Sequence, residues 1–126
     1  MIPAELKYSK EHEWVKAEGK TALIGITHYA QDHLGDVVYV ELPAVGKSLK
    51  AAEEMGVVES VKSVSSLYCP VSGLVLEVNA SLSSSPQTVN SDPYGKGWMV
   101  KLEIANPQEL SALLSAADYK KHTESK

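Results

Sequence analysis

The sequence predicts a mainly β fold, either a sandwich or a barrel, with a few short helices. Two observations in the 126 residues indicate this fold. Short runs of β-branched and other apolar residues recur at close spacing, and residues that favour turns lie between them. Many short strands at such spacing are typical of sandwiches and barrels. The length fits one domain, so residues 1–126 are predicted to form a single domain.

Eight segments carry the strand pattern. They are Leu6–Ser9, Glu13–Ala17, Thr21–Ile26, Val37–Leu42, Gly56–Val61, Val64–Tyr68, Leu74–Val78 and Trp98–Ile104. Within the fourth segment, the alternation of residues predicts that Val38, Val40 and Leu42 lie on one face of the strand.

A short helix is predicted between the third and fourth of these segments. Thr27 is a favourable N-cap residue, and the helix it begins covers His28–Leu34. Gly35 follows directly and is a favourable residue at which to end a helix.

A second helix is predicted near the C-terminal end of the chain. Asn106 is its N-cap, Pro107 occupies its first position, and Glu109 stands where a capping box places an acidic residue. An apolar stripe on this helix is expected to pack against the sheet. It comprises Leu110, Leu113, Leu114 and Ala117. The polar tail over residues 120–126 is expected to be frayed.

A weak internal repeat divides the chain into two related parts. Pro43–Leu49 and Pro70–Leu76 both follow the pattern P-x-x-G-x-x-L, and the segment around Lys62 lies between them. The repeat suggests two similar strand–turn units, in which Gly46 and Gly73 allow tight turns.

The stretch Ser81–Gly97 is rich in Ser, Pro and Gly. A loop of this length in a compact domain is either functional or packed against the domain as a lid, and disorder is the alternative. Tyr94 and Trp98 at its end favour the packed loop.

The composition excludes several classes of function. The formal net charge is −4, from 12 basic and 16 acidic residues, and no basic cluster is present, which argues against nucleic acid as a partner. No apolar run is long enough to span a membrane, and the first residues resemble neither a signal peptide nor a transit peptide. Cys69 is the single cysteine, which is consistent with a reducing compartment. We therefore expect a cytoplasmic protein.

Catalytic and metal-binding motifs are missing from the sequence. It contains no nucleophile elbow of the form G-x-S-x-G, no phosphate-binding glycine loop and no H-E-x-x-H. The four histidines show no metal-ligand spacing with Cys69. Cys69 is expected to be a structural thiol, and a cysteine–histidine hydrolase remains an alternative.

The segment from Gly56 to Tyr68 consists of two strand-like runs that meet near Lys62. The residues next to this lysine are small, namely Ser60, Val61 and Ser63. A lysine at the tip of such a hairpin projects into solvent, and the pattern by itself favours an ordinary exposed lysine over a modified one.

The sequence Glu59-Ser60-Val61-Lys62 resembles the lipoylation site of the glycine cleavage H-protein family, and the similarity extends over nearly the whole chain. Matching motifs include Glu11-His12-Glu13-Trp14-Val15, Gly25-Ile26-Thr27, Leu34-Gly35-Asp36-Val37-Val38, Val89-Asn90-Ser91-Asp92-Pro93-Tyr94 and Gly97-Trp98. The family fold that this resemblance implies is a hybrid β-sandwich like that of lipoyl and biotinyl domains, with short helices and a C-terminal helix.

The resemblance implies a carrier that is not itself an enzyme. Such a carrier bears lipoic acid covalently on a lysine and shuttles the aminomethyl group of glycine. The implied partners are glycine decarboxylase (P-protein), aminomethyltransferase (T-protein), dihydrolipoamide dehydrogenase (L-protein) and the lipoylating enzymes. Neither nucleic acid nor a membrane is among them, and a monomer is expected.

Four site residues carry over from the family, one position at a time. Lys62 matches the lipoyl lysine, and Glu59 matches an acidic residue read by lipoylating enzymes. Glu13 and His33 match residues of a cleft that holds the arm. The alternative for Glu13 is an ordinary solvated residue of a strand. The alternative for His33 is an ordinary residue near the end of a helix.

Two positions depart from the family pattern. Ser66 stands where the family often has an acidic residue, which puts a second carboxylate near the arm in doubt. Cys69 stands where a small residue without a thiol is common. An exposed thiol could exchange with the lipoyl dithiol, whereas a buried one could not, and burial is expected.

Three other functions are alternatives to this one. A lipoyl or biotinyl domain of another complex usually lies in a longer chain with Pro- and Ala-rich linkers, which this sequence lacks. An added role in passing lipoyl groups to other enzymes is compatible with the sequence. A small hydrolase using Cys69 and a histidine is the third.

Overall fold

The computed structural model describes residues 2–124, in which two β-sheets are connected by short helices. The strands are β1 (Lys7–Tyr8), β2 (Glu13–Glu18), β3 (Thr21–Ile26), β4 (Val37–Glu41), β5 (Ser48–Leu49), β6 (Glu54–Ser60), β7 (Val64–Tyr68), β8 (Gly73–Val78) and β9 (Val100–Ile104). The α-helices are α1 (His28–Leu34), α2 (Thr88–Ser91) and α3 (Ala116–Glu124), and 3-10 helices cover Ala80–Ser83 and Pro107–Ala112.

Six strands form one sheet in the order β1-β2-β3-β9-β8-β5, and three form the other in the order β4-β6-β7. All the pairings described are antiparallel. Both strand orders are open, so within residues 2–124 neither sheet closes into a barrel. The mainly β fold with two sheets and short helices confirms the predicted fold class.

A continuous core lies between the two sheets. It contains residues of both, such as Ile24 and Leu102 from the larger sheet and Val58 and Leu67 from the smaller one. A second, smaller cluster packs α3 against the start of the chain, with Tyr8 stacked on Tyr119 at 4.7 Å between ring centroids. Within the described residues, no helix is long and apolar enough to cross a membrane.

The first helix is confirmed at both of its ends. The Thr27 side chain accepts a hydrogen bond from the backbone N–H of Ala30, and helix α1 ends at Gly35 with φ of 84°. This φ is one that a residue with a Cβ rarely adopts, so glycine is required here.

Helix α3 confirms a C-terminal helix, but the prediction that one helix continues from Pro107 through Ala117 was wrong. Asn106 and Pro107 do begin a helical segment, but it is a 3-10 helix that ends before an extended Leu113. Leu114 then pairs with Tyr8 through two backbone hydrogen bonds of 2.7 and 2.9 Å. This bridge to β1 prevents the helix from continuing, and α3 begins separately at Ala116.

Two further expectations for this end of the chain were wrong. The Glu109 carboxylate accepts hydrogen bonds from the backbone N–H and the hydroxyl of Ser72 instead of closing a capping box. Residues 120–124 continue α3 and are not frayed, because the buried Tyr119 anchors this helix. Residues 125 and 126 of the predicted tail lie outside the described residues.

The predicted alternation of residues along β4, in the smaller sheet, was wrong. The β4–β6 register shifts between Val37 and Tyr39, so Val37 and Val40 are buried whereas Val38 is 53% exposed. A bulge of this kind moves the following residues to the opposite face, and a period-two pattern does not show it.

The internal repeat corresponds to two segments that pair with each other. Strand β5, which the sequence did not predict, pairs with β8 so that Leu49 lies opposite Gly73. Gly46 has φ of 91°, as a tight turn requires. Gly73 instead lies within β8, where a Cβ would come within 2.5 Å of the Glu103 carbonyl oxygen. The predicted turn at Gly73 was therefore wrong, and the glycine allows a close backbone approach.

The segment Ser81–Gly97 is packed against the domain, as its aromatic end suggested. Leu82 and Val89 are fully buried in it. The Trp14 indole N–H donates to the carbonyl of Pro93 at 2.9 Å, which attaches the end of this segment to β2.

Candidate functional site

Lys62 lies in the tight turn between β6 and β7, as predicted, and its side chain is exposed. The Ser60 hydroxyl oxygen accepts from the backbone N–H groups of Lys62 and Ser63. The Ser60 N–H donates to the Ser63 carbonyl at 2.8 Å, and the Val61 N–H donates to the Asp36 carbonyl at 3.0 Å. The turn that presents Lys62 is therefore fixed by its own backbone, by one serine hydroxyl and by the Asp36 carbonyl just beyond α1.

The Lys62 side chain extends over the end of α1. A Cβ added at Gly35 would lie 3.4 Å from Cε of Lys62 and 4.0 Å from its Nζ. Among residues 2–124 the one salt bridge joins Lys16 and Glu18, so no described carboxylate pairs with Lys62. The amine is thus exposed and available to a modifying enzyme.

A cleft of about 340 Å³ begins next to this lysine and runs between α1 and β7. Residues 63–67 line one side, and α1 contributes Tyr29, Ala30, His33 and Leu34 to the other. Glu11, His12 and Glu13 also line this space. The structure thus brings Glu13 and His33, which are twenty positions apart in the sequence, to one cleft beside Lys62.

Glu13 is buried in this cleft, with 2% of its surface exposed. Its carboxylate accepts from the Ser9 hydroxyl and, at 3.2 Å, from the backbone N–H of Tyr68 at the end of β7. Burial raises the pKa of Glu13 from 4.5 to about 7, although these two hydrogen bonds oppose the shift. The alternative of a solvated strand residue is therefore wrong for Glu13, because solvent does not reach it.

Three neighbouring rings form one wall of the cleft. Tyr29 lies between His12 and His33, with ring centroids 4.6 and 4.1 Å away. His12 has a positive φ of 73°, and its ring stacks on that of Tyr29 in α1. The sequence offered no signal for this wall, since it joins a turn residue to a helix face. His33 is exposed, and its ring contacts Tyr29 in the same helix.

Glu59 lies on β6, three residues before Lys62, and is half-buried. It pairs in register with Tyr39 on one side and Val64 on the other. Ser66 lines the cleft on β7, at the position where a carboxylate was in doubt. The acidic residues that do line the cleft come from the β1–β2 turn and the start of β2.

A second cavity of about 600 Å³ lies on the other side of Glu13 and shares Glu11 and Glu13 with the cleft. Cys69 lines it but is fully buried, and its thiol donates to the Val71 carbonyl at 2.9 Å. Burial raises the pKa of the Cys69 thiol to about 11. A nucleophilic cysteine needs a lowered pKa, so the structure opposes the hydrolase alternative.

No group of three or more His, Cys, Asp or Glu side chains that could hold a metal ion occurs among residues 2–124. The chemistry available at the cleft is therefore that of an exposed amine, a buried carboxyl group and an aromatic wall.

Comparison with known proteins identifies the family. The family model described as glycine cleavage H-protein matches residues 6–126. The chain belongs to the glycine cleavage H-protein family. The glycine cleavage system H protein of Symbiobacterium thermophilum is 62% identical over 123 residues, which cover 98% of this chain and 96% of that protein.

Other relatives agree with this assignment. The H protein of Carboxydothermus hydrogenoformans is 57% identical, with 98% of this chain and 95% of that protein covered. The crystal structure of the H protein from Mycobacterium marinum superposes with a TM-score of 0.90 at 38% identity, covering 98% of this chain and 99% of that one. The chain is therefore a lipoyl-bearing carrier of the glycine cleavage system, without catalytic activity of its own, and members of this family carry lipoate covalently on a lysine.

Proposed function

We propose that Lys62 is the lysine that carries the lipoyl group. The observation that supports this most directly is its position at the tip of a rigid hairpin, exposed and without a carboxylate partner, beside a cleft of about 340 Å³. Lipoate joined to Nζ through an amide supplies the sulfur that carries the aminomethyl group of glycine.

The residues along the cleft fit such an arm. Its wall is formed by apolar and aromatic side chains, including Ile26, Leu34 and Val64, which suit a hydrocarbon chain. From Val64 to Tyr68, strand β7 spans about 13 Å. An extended lysine–lipoyl chain of about twelve bonds reaches about 14 Å from the Cα atom. The modified side chain is therefore about as long as the strand that borders the cleft.

Glu13 is the proposed ligand of the amino group at the end of the loaded arm. A carboxylate next to an amine favours the ammonium form, because opposite charges close together stabilise each other. Protonation occupies the nitrogen lone pair, which otherwise promotes loss of the carried carbon. An ammonium in the cleft likewise favours the ionised carboxylate, which burial alone opposes. His33 lines the opposite wall and completes the enclosure of the arm.

Glu59 is the proposed recognition residue for the lipoylating enzymes. It lies on the same hairpin as Lys62, and exposed apolar side chains of Tyr39 and Val64 flank it at 48% and 67% exposure. A carboxylate between two apolar groups gives an enzyme both a contact surface and a charge by which to orient the hairpin.

We propose that three enzymes act on the carrier in turn. Glycine decarboxylase loads the arm, aminomethyltransferase unloads it, and dihydrolipoamide dehydrogenase reoxidises it. We infer that the protein acts in the cytoplasm as a monomer, with residues 1–126 as one domain. The main core, which contains residues of both sheets, supports one domain, and the free, buried Cys69 fits a reducing compartment.

Peptide mapping after enzymatic lipoylation tests the assignment of Lys62. We expect the lipoyl mass on the peptide that contains Lys62 and on no other, and no modification of Lys62→Arg. Lys47→Arg is the matched control, because Lys47 is also an exposed lysine and directly follows a turn. A lipoyl group on another lysine, or a modified Lys62→Arg protein, would contradict the proposal.

A further inference from the structure

Asn90 lies in α2, and its side chain reaches both the end of α1 and the start of β4. Its Nδ2 donates to Oε1 of Gln31 and to the carbonyl of Gly35, both at 2.9 Å. Its Oδ1 accepts from the backbone N–H of Val37 at 2.8 Å. One asparagine side chain therefore joins three positions of the chain, and both its amide group and its oxygen are used.

Two of these hydrogen bonds satisfy backbone groups at the ends of secondary structure. The Gly35 carbonyl comes directly after the last residue of α1, where carbonyls have no partner within the helix. Val37 begins β4, an edge strand of the smaller sheet, and its N–H bonds to the Asn90 side chain. An asparagine suits this position because one short side chain offers both donors and an acceptor.

The segment held in this way, residues 35–37, also supports the turn that presents Lys62. The carbonyl of Asp36, its central residue, accepts from the N–H of Val61 at 3.0 Å. Its last residue lies opposite Ser60 in the β4–β6 ladder, and the Ser60 hydroxyl accepts from the backbone N–H of Lys62. The position of the hairpin tip relative to α1 therefore depends on this segment.

The register shift in β4 makes the contribution of Asn90 larger. The shift lies between Val37 and Tyr39, so the pair of Val37 with Ser60 is separated from the regular ladder that follows. A bulge disrupts the hydrogen bonds of a ladder locally, so the sheet alone holds this last pair weakly. The hydrogen bond from the Val37 N–H to Asn90 keeps the pair in place.

We propose that Asn90 is a positioning residue for the lipoylation of Lys62, an inference that rests on the proposed modification of that lysine. In lipoylation the neutral Nζ amine forms an amide bond with an activated lipoyl carboxyl group, the activating group leaves, and the amine loses a proton. The modifying enzyme must first bind the hairpin, and Asn90 keeps the hairpin tip in one orientation relative to α1.

This role predicts a specific kinetic effect. When only a fraction of the molecules has the orientation that an enzyme binds, the apparent affinity falls in proportion to that fraction. Loss of the Asn90 side chain therefore raises the KM of the lipoylating enzyme for this protein. The kcat stays nearly unchanged, because the amide bond forms in the same geometry once the hairpin is bound.

Lipoylation kinetics of Asn90→Ala and of a matched control, Asn79→Ala, test the proposal. Asn79 also uses both ends of its amide, since Nδ2 donates to the carbonyls of Lys96 and Trp98 and Oδ1 accepts from the Ser81 hydroxyl. We expect KM to rise roughly threefold to tenfold in Asn90→Ala and by less than about twofold in Asn79→Ala. An unchanged KM in Asn90→Ala, or an equal rise in both variants, would overturn the proposal.

Amide hydrogen exchange of the unmodified protein shows whether Asn90 acts through the turn. The Val61 N–H donates to the Asp36 carbonyl, whereas the Ser60 N–H donates to Ser63 within the hairpin and is the internal reference. In Asn90→Ala we expect exchange to become roughly threefold to tenfold faster at Val61 and less than about twofold faster at Ser60. Equal acceleration at both amides would indicate general destabilisation and would count against a positioning role.

Asn90→Asp keeps the oxygen that accepts from Val37 and loses both donors, so we expect its KM to lie between those of the parent and of Asn90→Ala. If Asn90→Ala does not fold, a parental KM in Asn90→Asp overturns the proposal. Peptide mapping of the parent separates the two levels of the argument. A parent without a lipoyl group on Lys62 would refute the proposed function, whereas lipoylated Lys62 with unchanged KM in the variants would overturn only this inference.

Discussion

Lys62 and Glu13 lie near opposite ends of one cleft, and their surroundings differ in nearly every respect. Lys62 is exposed on a turn that backbone hydrogen bonds and one serine hydroxyl hold in place. Glu13 is buried and accepts hydrogen bonds from the Ser9 hydroxyl and from the backbone N–H of Tyr68 in β7. An amine that an enzyme must modify has to be accessible, whereas a carboxylate that holds an ammonium is most effective away from water. The two ends of the cleft therefore satisfy opposite requirements.

The largest expected effect is on the free energy of unfolding, which depends on pH because the Glu13 carboxyl group is buried. Its raised pKa means that the folded protein keeps a proton between pH 4.5 and about 7, which the unfolded chain has already released. The free energy of unfolding therefore falls as pH rises through this window, by about 3 kcal/mol in total. Glu13→Gln removes this dependence, so it should be more stable than the parent by about 3 kcal/mol at pH 8 and about equal at pH 4.

Urea unfolding at a series of pH values measures this difference. Ser66→Ala is the control, since it changes a cleft residue that carries no titratable group. A constant difference between Glu13→Gln and the parent across the series would show that the carboxyl group does not titrate differently in the folded protein.

The next effect lies at the other end of the cleft, where α1 meets the lysine. Gly35→Ala should destabilise the protein by about 1–3 kcal/mol, because an alanine is strained at this backbone conformation. The added methyl group also lies 3.4 Å from Cε of Lys62, so we expect slower lipoylation. Gly46→Ala is the matched control, with a φ of 91° and nothing within 4 Å of the added carbon. If both variants lose a similar amount of stability and neither is lipoylated more slowly, Gly35 does not contribute to the modification site.

The smallest expected effect on stability is that of Glu59. Glu59→Gln should change the free energy of unfolding by less than roughly 0.5 kcal/mol, because the residue is partly exposed and close to a turn. Lipoylation should nevertheless become slower, since the charge read by the enzyme is lost. Thermal melting and lipoylation rates of the variant and the parent provide the comparison. A lower melting temperature with an unchanged rate would assign Glu59 a structural role instead.

Local signals in the sequence predicted those features that depend on neighbouring residues. Thr27 and Gly35 cap α1 through contacts within four residues, and both ends were predicted correctly. The position of Lys62 at a hairpin tip was predicted in the same way, from the two strand-like runs that meet there. Its role as the modified lysine came from the family resemblance and stays a prediction.

Features that depend on distant parts of the chain were not predictable from these patterns. The C-terminal helix was interrupted because Leu114 pairs with Tyr8, more than a hundred residues away. Burial of Glu13 depends on the packing of β7 and of the β1–β2 turn around it, and its pKa follows from that burial. The resemblance to a family named Glu13 and His33, but the wall of His12, Tyr29 and His33 became apparent only in three dimensions.

The central claim is that Glu13 protects the group carried by the arm on Lys62, and the lifetime of the loaded carrier tests it most directly. The measurement is the rate of formaldehyde release from purified, aminomethyl-loaded protein without the transferase, for the parent and for Glu13→Ala. A charge-assisted hydrogen bond contributes roughly 1.5–3 kcal/mol, which corresponds to about a tenfold to hundredfold faster release from the variant. Equal release rates, with Lys62 lipoylated to the same extent in both proteins, would contradict a protective role for Glu13.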